Sequence, residues 1–259
     1  MVPSAFKEAA VAYLETNNLS VSFDGFKAVD SLNLNVNKGE LRCLIGANGA
    51  GKSTTLDLLC GKTAQTSGSI KLDGLDITSM HDHARARAGI GRKFQVPSVF
   101  KEMSVRQNLQ LAVSTFTSVW ATIKRLPGSD GGKRINEVVE LTGLQDRLNT
   151  QAGFLSHGET QWLEIAMLLI QDSKVILMDE PTAGMTIGET QKTAQIFNSL
   201  KGKHTLLVVE HDMTFVREIA EIITVMHQGK ILAEGTVEQI EVDPKVREAY
   251  LGSGDISHA

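Results

Sequence analysis

The chain contains no apolar run near the roughly 20 residues that cross a bilayer. Stretches such as Thr205–Val209 and residues 175–178 are far shorter, so a spanning helix is not expected. Excess positive charge is also missing: 26 Lys and Arg stand against 30 Asp and Glu, a formal net charge of −4. That balance disfavours a partner held by neutralising many phosphates, and no nucleic acid is expected to bind. Cysteine is scarce. Cys43 and Cys60 have no metal-ligand spacing and make no disulfide framework, which suits a reducing compartment and two small buried residues. Internal repeats and low-complexity linkers are absent as well. Residues 1–16 lack the basic start and continuous apolar core of a secretion signal, so the chain is expected in the cytoplasm.

What is present is ordinary globular material. In 259 residues, 42% hydrophobic and 22% charged side chains can bury a sizeable core, as one domain with a subdomain or as two small domains. Residues 19–23, 32–36 and 69–72 alternate polar and apolar, with turn signals at Asn37-Lys38-Gly39 and Asp73-Gly74. They predict an antiparallel layer. Residues 41–45 are more continuously apolar and run through a Gly-rich turn into a helical stretch, Lys52–Cys60. From about residue 104 to 169 the pattern turns helical. Ser104 and Gln107 fit a capping box, and Ile135, Val138, Val139 and Thr142 recur at helical spacing before a stop at Gly143. Apolar strands return at residues 175–178, Thr205–Val209 and residues 222–226, separated by helical segments, as a parallel sheet covered on both faces requires. Residues 237–250 read as small helices.

Two motifs carry chemistry. Gly46-Ala47-Asn48-Gly49-Ala50-Gly51-Lys52-Ser53 follows the phosphate-loop pattern, in which glycines let successive N–H groups turn inward on phosphate oxygens. Lys52 is placed for the β and γ phosphates, Ser53 for Mg²⁺, and the helix start adds its positive end. Gly61-Lys62-Thr63 offers only the tail of that pattern, with Leu56 where the first Gly should stand, and reads as a helix end. In the second motif, four apolar residues deliver Asp179 and Glu180 to the edge of the sheet: a metal carboxylate and a general-base candidate, ahead of Pro181. Ser156 and Glu159, taken alone, are a capping box at the start of a helix with an apolar face of Trp162, Ile165, Ala166 and Leu169.

The order of these motifs along nearly the whole chain resembles the ATP-binding subunit of an ABC transporter. That resemblance implies an α/β fold, a P-loop NTPase core of ABC type with an antiparallel β layer and an inserted helical subdomain. It implies one nucleotide-binding domain over 1–259, with the core at 1–95 and 172–240, the helical subdomain at 96–171 and a tail at 241–259. ATP and Mg²⁺ are the cofactors. Gly46 through Thr54 hold nucleotide, Phe23 rather than Phe26 stacks on adenine, and Gln95 joins Ser53 and Asp179 around the metal. Glu180, His211 and Lys52 are the catalytic set, His211 contacting the γ phosphate. Ser156, His157, Gly158 and Glu159 form the signature that completes the ATP site of a second, head-to-tail cassette. Partners are membrane permeases, a second ATP-binding subunit in a homo- or heterodimer and, indirectly, a solute-binding protein, with the chain peripheral on the inner face of the cell membrane.

Several positions depart from the commonest family pattern. His157 replaces Gly, Glu159 replaces Gln, Trp162 and Met167 replace Arg, and Thr186 replaces Asp. The stretches Leu155-Ser156-His157-Gly158, Gln161-Trp162-Leu163-Glu164, Ala183-Gly184-Met185-Thr186 and the tail from Val246 to Gly252 resemble the urea-type subunit of the branched-chain amino acid uptake group. Urea, short amides or branched-chain amino acids are the solutes this implies. Other classes sharing the nucleotide motifs are a soluble iron–sulfur assembly scaffold, a lipid or polysaccharide exporter, and a DNA-maintenance ATPase, the last opposed by the lack of a long coiled coil. Residues 96–100 and the helical insertion are the expected permease contacts.

Overall fold

A computed structural model describes residues 12–93, 99–114 and 130–251. Two sheets form its frame. The first is antiparallel: β2 (Phe26–Leu32), β1 (Leu14–Phe23), β5 (Ser67–Leu72) and β6 (Leu75–Asp76) lie in that order, with β3 (Asn35–Val36) also on β1. Its hairpins close through Asp24-Gly25 and Asp73-Gly74, where both residues of each pair have positive φ, as the twist of a two-residue hairpin demands. The second sheet has the order β11 (Lys230–Gly235), β10 (Ile222–His227), β4 (Leu41–Gly46), β9 (Thr205–Val209), β8 (Val175–Asp179) and β7 (Ile90–Lys93). All its pairs are parallel except β10 with β11.

Each central strand buries both faces, and period two sorts its side chains into two cores. Leu44, Leu177, Leu207 and Val209 pack with α1 (Lys52–Cys60) and the antiparallel layer. Cys43, Ile45, Ile176, Met178, Leu206 and Val208 face the other way, toward helices. These helices are α3 (Val105–Ser114), α4 (Asp130–Thr142), α5 (His157–Ile170), α6 (Ile187–Leu200), α7 (Met213–Ile219), α8 (Val237–Val242) and α9 (Pro244–Leu251), while α2 (Asp82–Ala88) packs on the α1 side. Helices α3 to α5 fall between β7 and β8, the place in sequence expected for the helical insertion. Both cysteines are buried thiols, and burial pushes the Cys43 thiol up.

Three sequence expectations change in detail. The strand read at 19–23 begins five residues earlier, at Leu14, and carries register shifts near Asn18, which has positive φ. The stretch 32–36 splits into β2 and β3. Buried Thr16 causes the break: its hydroxyl donates to Leu32 O at 3.0 Å and accepts from Leu34 N–H at 2.8 Å, replacing ladder bonds. Strands β7 and β11 went unread because β7 buries Lys93 and β11 is a half-exposed edge strand whose three apolar residues, Ile231 to Ala233, show no alternation. Helix α1, the capping box at Ser104 and Gln107, and the left-handed stop at Gly143 stand where the spacing put them.

The parallel topology brings the C-terminal ends of β4, β8, β9 and β10 to one edge, outside which ligands of open α/β sheets bind.

Candidate active site

Strand β4 ends at Gly46, and the chain turns through Asn48 and Gly49 into α1. Glycine is required at two points of this turn. A Cβ on Gly46 (φ 155°) would lie 2.4 Å from Met226 O, and one on Gly51 (φ 100°) would lie 2.5 Å from Ala28 O. The second contact also shows that β2 runs against the loop. Helices α5, α6 and α7 start with side-chain caps from Ser156, Thr186 and Asp212, whereas α1 starts at Gly51 with none. Its first-turn N–H groups lack intrahelical acceptors by construction, so the helix presents an uncapped positive end in a loop shaped for an anion.

Lys52 lies across this loop, its Nζ donating to Gly46 O at 2.6 Å and Ala47 O at 3.1 Å. Burial lowers the ammonium pKa, and Glu180 and Asp179 pull it back up. From α1 the Ser53 hydroxyl reaches Asp179 Oδ1 at 3.3 Å. Asp179 is 2% exposed, and its Oδ2 has no hydrogen-bond partner; Arg92 Nη2 stands 3.9 Å away. Arg92 also bonds Asp57 of α1. Burial pushes the Asp179 carboxyl above its ordinary range, Ser53 and Arg92 opposing this and Glu180 adding to it.

This donor set fits Mg²⁺. A hydroxyl and a desolvated carboxylate with a spare oxygen are hard ligands, and Mg²⁺ keeps its remaining positions for water and phosphate. Among the described residues no three His, Cys, Asp or Glu side chains cluster as a metal cage. Because the folded carboxyl titrates above its unfolded value, its ionisation opposes folding at neutral pH, and this is relieved as pH falls through the folded pKa. Asp179→Asn is therefore expected to raise the melting temperature of the nucleotide-free chain. It should also erase most of the roughly 2.7 kcal/mol that MgATP at a hundredfold excess over Kd gives the parent, as read by thermal melts with and without nucleotide.

Glu180 follows with φ 47°, a left-handed conformation costing a non-glycine residue about 1–2 kcal/mol. Its N–H donates to Val209 O at 2.9 Å, and its Oε1 lies 3.7 Å from Nδ1 of His211, which follows β9. Both side chains are open to solvent, His211 at 66%. Directly before His211 stands Glu210, 1% exposed, which sequence reading passed over although it too is an acid closing an apolar strand at the same edge.

The signature residues sit at the start of α5, with Ser156 as cap and Glu159 closing the capping box. Burial alone would raise the Glu159 pKa; the Ser156 N–H and Arg147 outweigh it and hold the carboxyl low. Three of the unusual residues bond to the stretch from Ala183 to Thr193. His157 Nε2 meets Ala183 O at 2.9 Å, and the Trp162 indole N–H donates to Thr193 at 2.9 Å under the Lys192 ammonium. Thr186 caps α6 through Glu189, whose Oε1 also accepts from Ser156 Oγ at 3.0 Å and from Gly158 N–H at 3.2 Å. A Cβ on Gly158 would meet the Glu189 carboxylate at 2.5 Å, so a larger residue there would displace that side chain from Ser156 and the Gly158 N–H. Phe23 and Phe26 face each other across the first hairpin, 48% and 67% exposed, so neither is core. Gln95 and residues 96–98 lie outside the described residues. Of the expected permease contacts, Phe100 is 54% exposed, but Val99 packs against the core.

An ABC transporter family model matches residues 29–183, more than half of the chain. The chain belongs to the ABC transporter family. A second model, the branched-chain amino acid ATP-binding cassette transporter, matches residues 230–256 of this cassette. The high-affinity branched-chain amino acid transport ATP-binding protein BraF of Pseudomonas aeruginosa is 36% identical over 248 residues, 92% of this chain and 97% of that one. LivG of Escherichia coli K12, of the same description, has the same identity and coverage. A crystal structure of the ADP conformation of an ABC transporter's ATP-binding cassette superposes with a TM-score of 0.80 at 31% identity, covering 93% of this chain and 99% of that one. A nucleotide-free cassette gives 0.78 at 32%, covering 92% and 98%. The cassette is thus an ATP-binding, ATP-hydrolysing transporter subunit with the α/β P-loop fold, antiparallel sheet and helical subdomain that its sequence resembled. Among the described residues no helix is long and apolar enough to cross a membrane.

Proposed function

We propose that this cassette is the motor subunit of an importer for branched-chain amino acids, hydrolysing ATP between its own phosphate loop and the signature of a second cassette. The observation that carries the hydrolytic part is the convergence of Lys52, Asp179, Glu180 and His211 on one sheet edge beside an uncapped helix start. Gly46 through Thr54 hold the phosphates, and Phe23 offers the adenine a stacking face. Ser53 and Asp179 hold Mg²⁺, with Gln95 assigned to the same shell by resemblance alone. Bound there, Mg²⁺ supplies charge neutralisation on the phosphate oxygens. Glu180 takes the proton of the attacking water, and His211 holds the γ phosphate end.

Pairing with a second cassette is supported by the exposure around the signature. Ser156 and His157 face solvent, flanked by Phe154 and Ile187, each 80% exposed. Head-to-tail closure would bring the α5 N-terminus to the partner's phosphates and cover those apolar side chains. Differential affinity of ATP for the closed pair converts binding into motion of the permeases. The second cassette, the permeases, a solute-binding protein and a place on the inner face of the membrane belong to the same proposal. The relatives named above are transport proteins, which favours transport over a soluble scaffold.

The solute assignment follows the BraF and LivG relatives and the family match over residues 230–256; the urea reading rests on resemblance at residues 155–158, 161–164 and 183–186 and in the tail from Val246 to Gly252. Vesicles carrying the cassette with its membrane subunits and binding protein separate the two. Leucine, isoleucine or valine is expected to stimulate ATP hydrolysis and urea to leave it at the basal rate. The reverse pattern would assign urea.

A further inference from the structure

The Glu210 carboxylate joins the two loops that present Glu180 and His211. Its Oε1 accepts from the Thr182 N–H at 3.1 Å and the Thr182 hydroxyl at 2.7 Å, and its Oε2 accepts from the His211 N–H at 3.1 Å. Thr182 is two residues beyond Glu180 and His211 directly follows Glu210, so one buried group fixes both loops across a separation of 28 residues. The Glu210 N–H donates to Leu44 O at 3.4 Å, on the strand that feeds the phosphate loop. Glu180, left-handed at φ 47°, is thereby anchored on one side by its own N–H to Val209 O and on the other through Thr182. A strained residue keeps its conformation only where its surroundings over-determine it.

An ionised carboxylate suits this place. It accepts at both oxygens, whereas an amide presents one acceptor and sets its NH₂ against a donor. The charge is not isolated: the buried Lys93 ammonium feels Glu164, Asp179 and Glu210, all of which oppose the lowering of its pKa by burial. We propose that Glu210 is a positioning residue for ATP hydrolysis, pinning the Glu180 loop to the His211 loop and so setting the approach of those two side chains. This rests on the reading of Glu180 and His211 as the hydrolytic pair.

The test compares steady-state MgATP hydrolysis by the full chain with that of Glu210→Gln, Thr182→Val and Glu180→Gln. Glu210→Gln is expected to lower kcat about 10- to 100-fold, the scale of a small misplacement of reacting groups, with KM for ATP within about twofold of the parent. Thr182→Val, which loses only the hydroxyl bond, shows a smaller fall in kcat of the same kind and serves if Glu210→Gln does not fold. By amide hydrogen exchange in Glu210→Gln, Thr182 or His211 loses protection because one of the two has lost its acceptor. Parent-like kcat in Glu210→Gln, or a KM that rises in step with the fall in kcat, overturns the inference while Glu180→Gln is inactive. Parent-rate hydrolysis by Glu180→Gln overturns the reading beneath it.

Discussion

Glu180→Gln is expected to lower steady-state ATP hydrolysis by about 10²–10⁴-fold, the usual contribution of a positioned general base, and to leave MgATP affinity near the parent value. The substitution is nearly isosteric and removes the one feature that matters, a carboxylate able to accept a proton from water. No hydrogen bond of the phosphate grip is lost with it: Lys52 and Ser53 bond Gly46 O, Ala47 O and Asp179, and Glu180 acts on Lys52 only through its charge. The backbone bond to Val209 O survives, so the left-handed turn is retained. With hydrolysis stopped and binding intact, ATP should hold two cassettes closed, seen as a faster-sedimenting species that disappears on removal of nucleotide. Hydrolysis by the variant at the parent rate would take the base role from Glu180.

Lys52→Ala acts one step earlier. The ammonium makes charge-assisted bonds worth about 1.5–3 kcal/mol each, and losing one to the β and one to the γ phosphate weakens MgATP binding by about 10²- to 10⁴-fold. Fold stability should change little, because in the free chain Nζ bonds only the loop carbonyls of Gly46 and Ala47. Removing it also lifts the competition between a buried ammonium and its desolvation, which already lowers the Lys52 pKa. Calorimetric titration with MgATP measures the affinity, and a melt without nucleotide checks that the fold is intact. Parent affinity in this variant would mean that the Gly46 loop does not hold the phosphates.

The expected contrast between the two variants would separate the two proposed roles, Lys52 for holding and Glu180 for turnover. Asp179 belongs with Lys52, and its burial without a second partner for Oδ2 marks a carboxylate kept at a cost to the folded chain.

Much of this was legible in the sequence because local chemistry dictated it. The phosphate loop needs glycine where a Cβ would strike Met226 O or Ala28 O, and the pattern of glycines is visible without a structure. The strand before Asp179 is apolar because both faces of β8 are covered. What stayed hidden depends on contacts far apart in the chain. Glu210 reads as an ordinary acid until β8 and β9 pair and bring Thr182 to it. Lys93 and Arg92 make β7 look like surface, yet carboxylates from α5, α1 and β8 surround them. The departures at His157, Trp162 and Thr186 read in sequence only as differences from the commonest family pattern. In three dimensions each has a bonding partner: Ala183 for His157, Thr193 for Trp162 and Glu189 for Thr186.

The central claim is that ATP hydrolysis by this cassette drives a membrane transporter. Affinity capture of the chain from gently solubilised membranes of its native cell, with identification of everything retained, tests it most directly. Two permease subunits and a second ATP-binding cassette, held together and hydrolysing ATP, are the expected result. Capture of soluble partners alone, with no membrane subunit at any detergent concentration that preserves the chain, would contradict the claim.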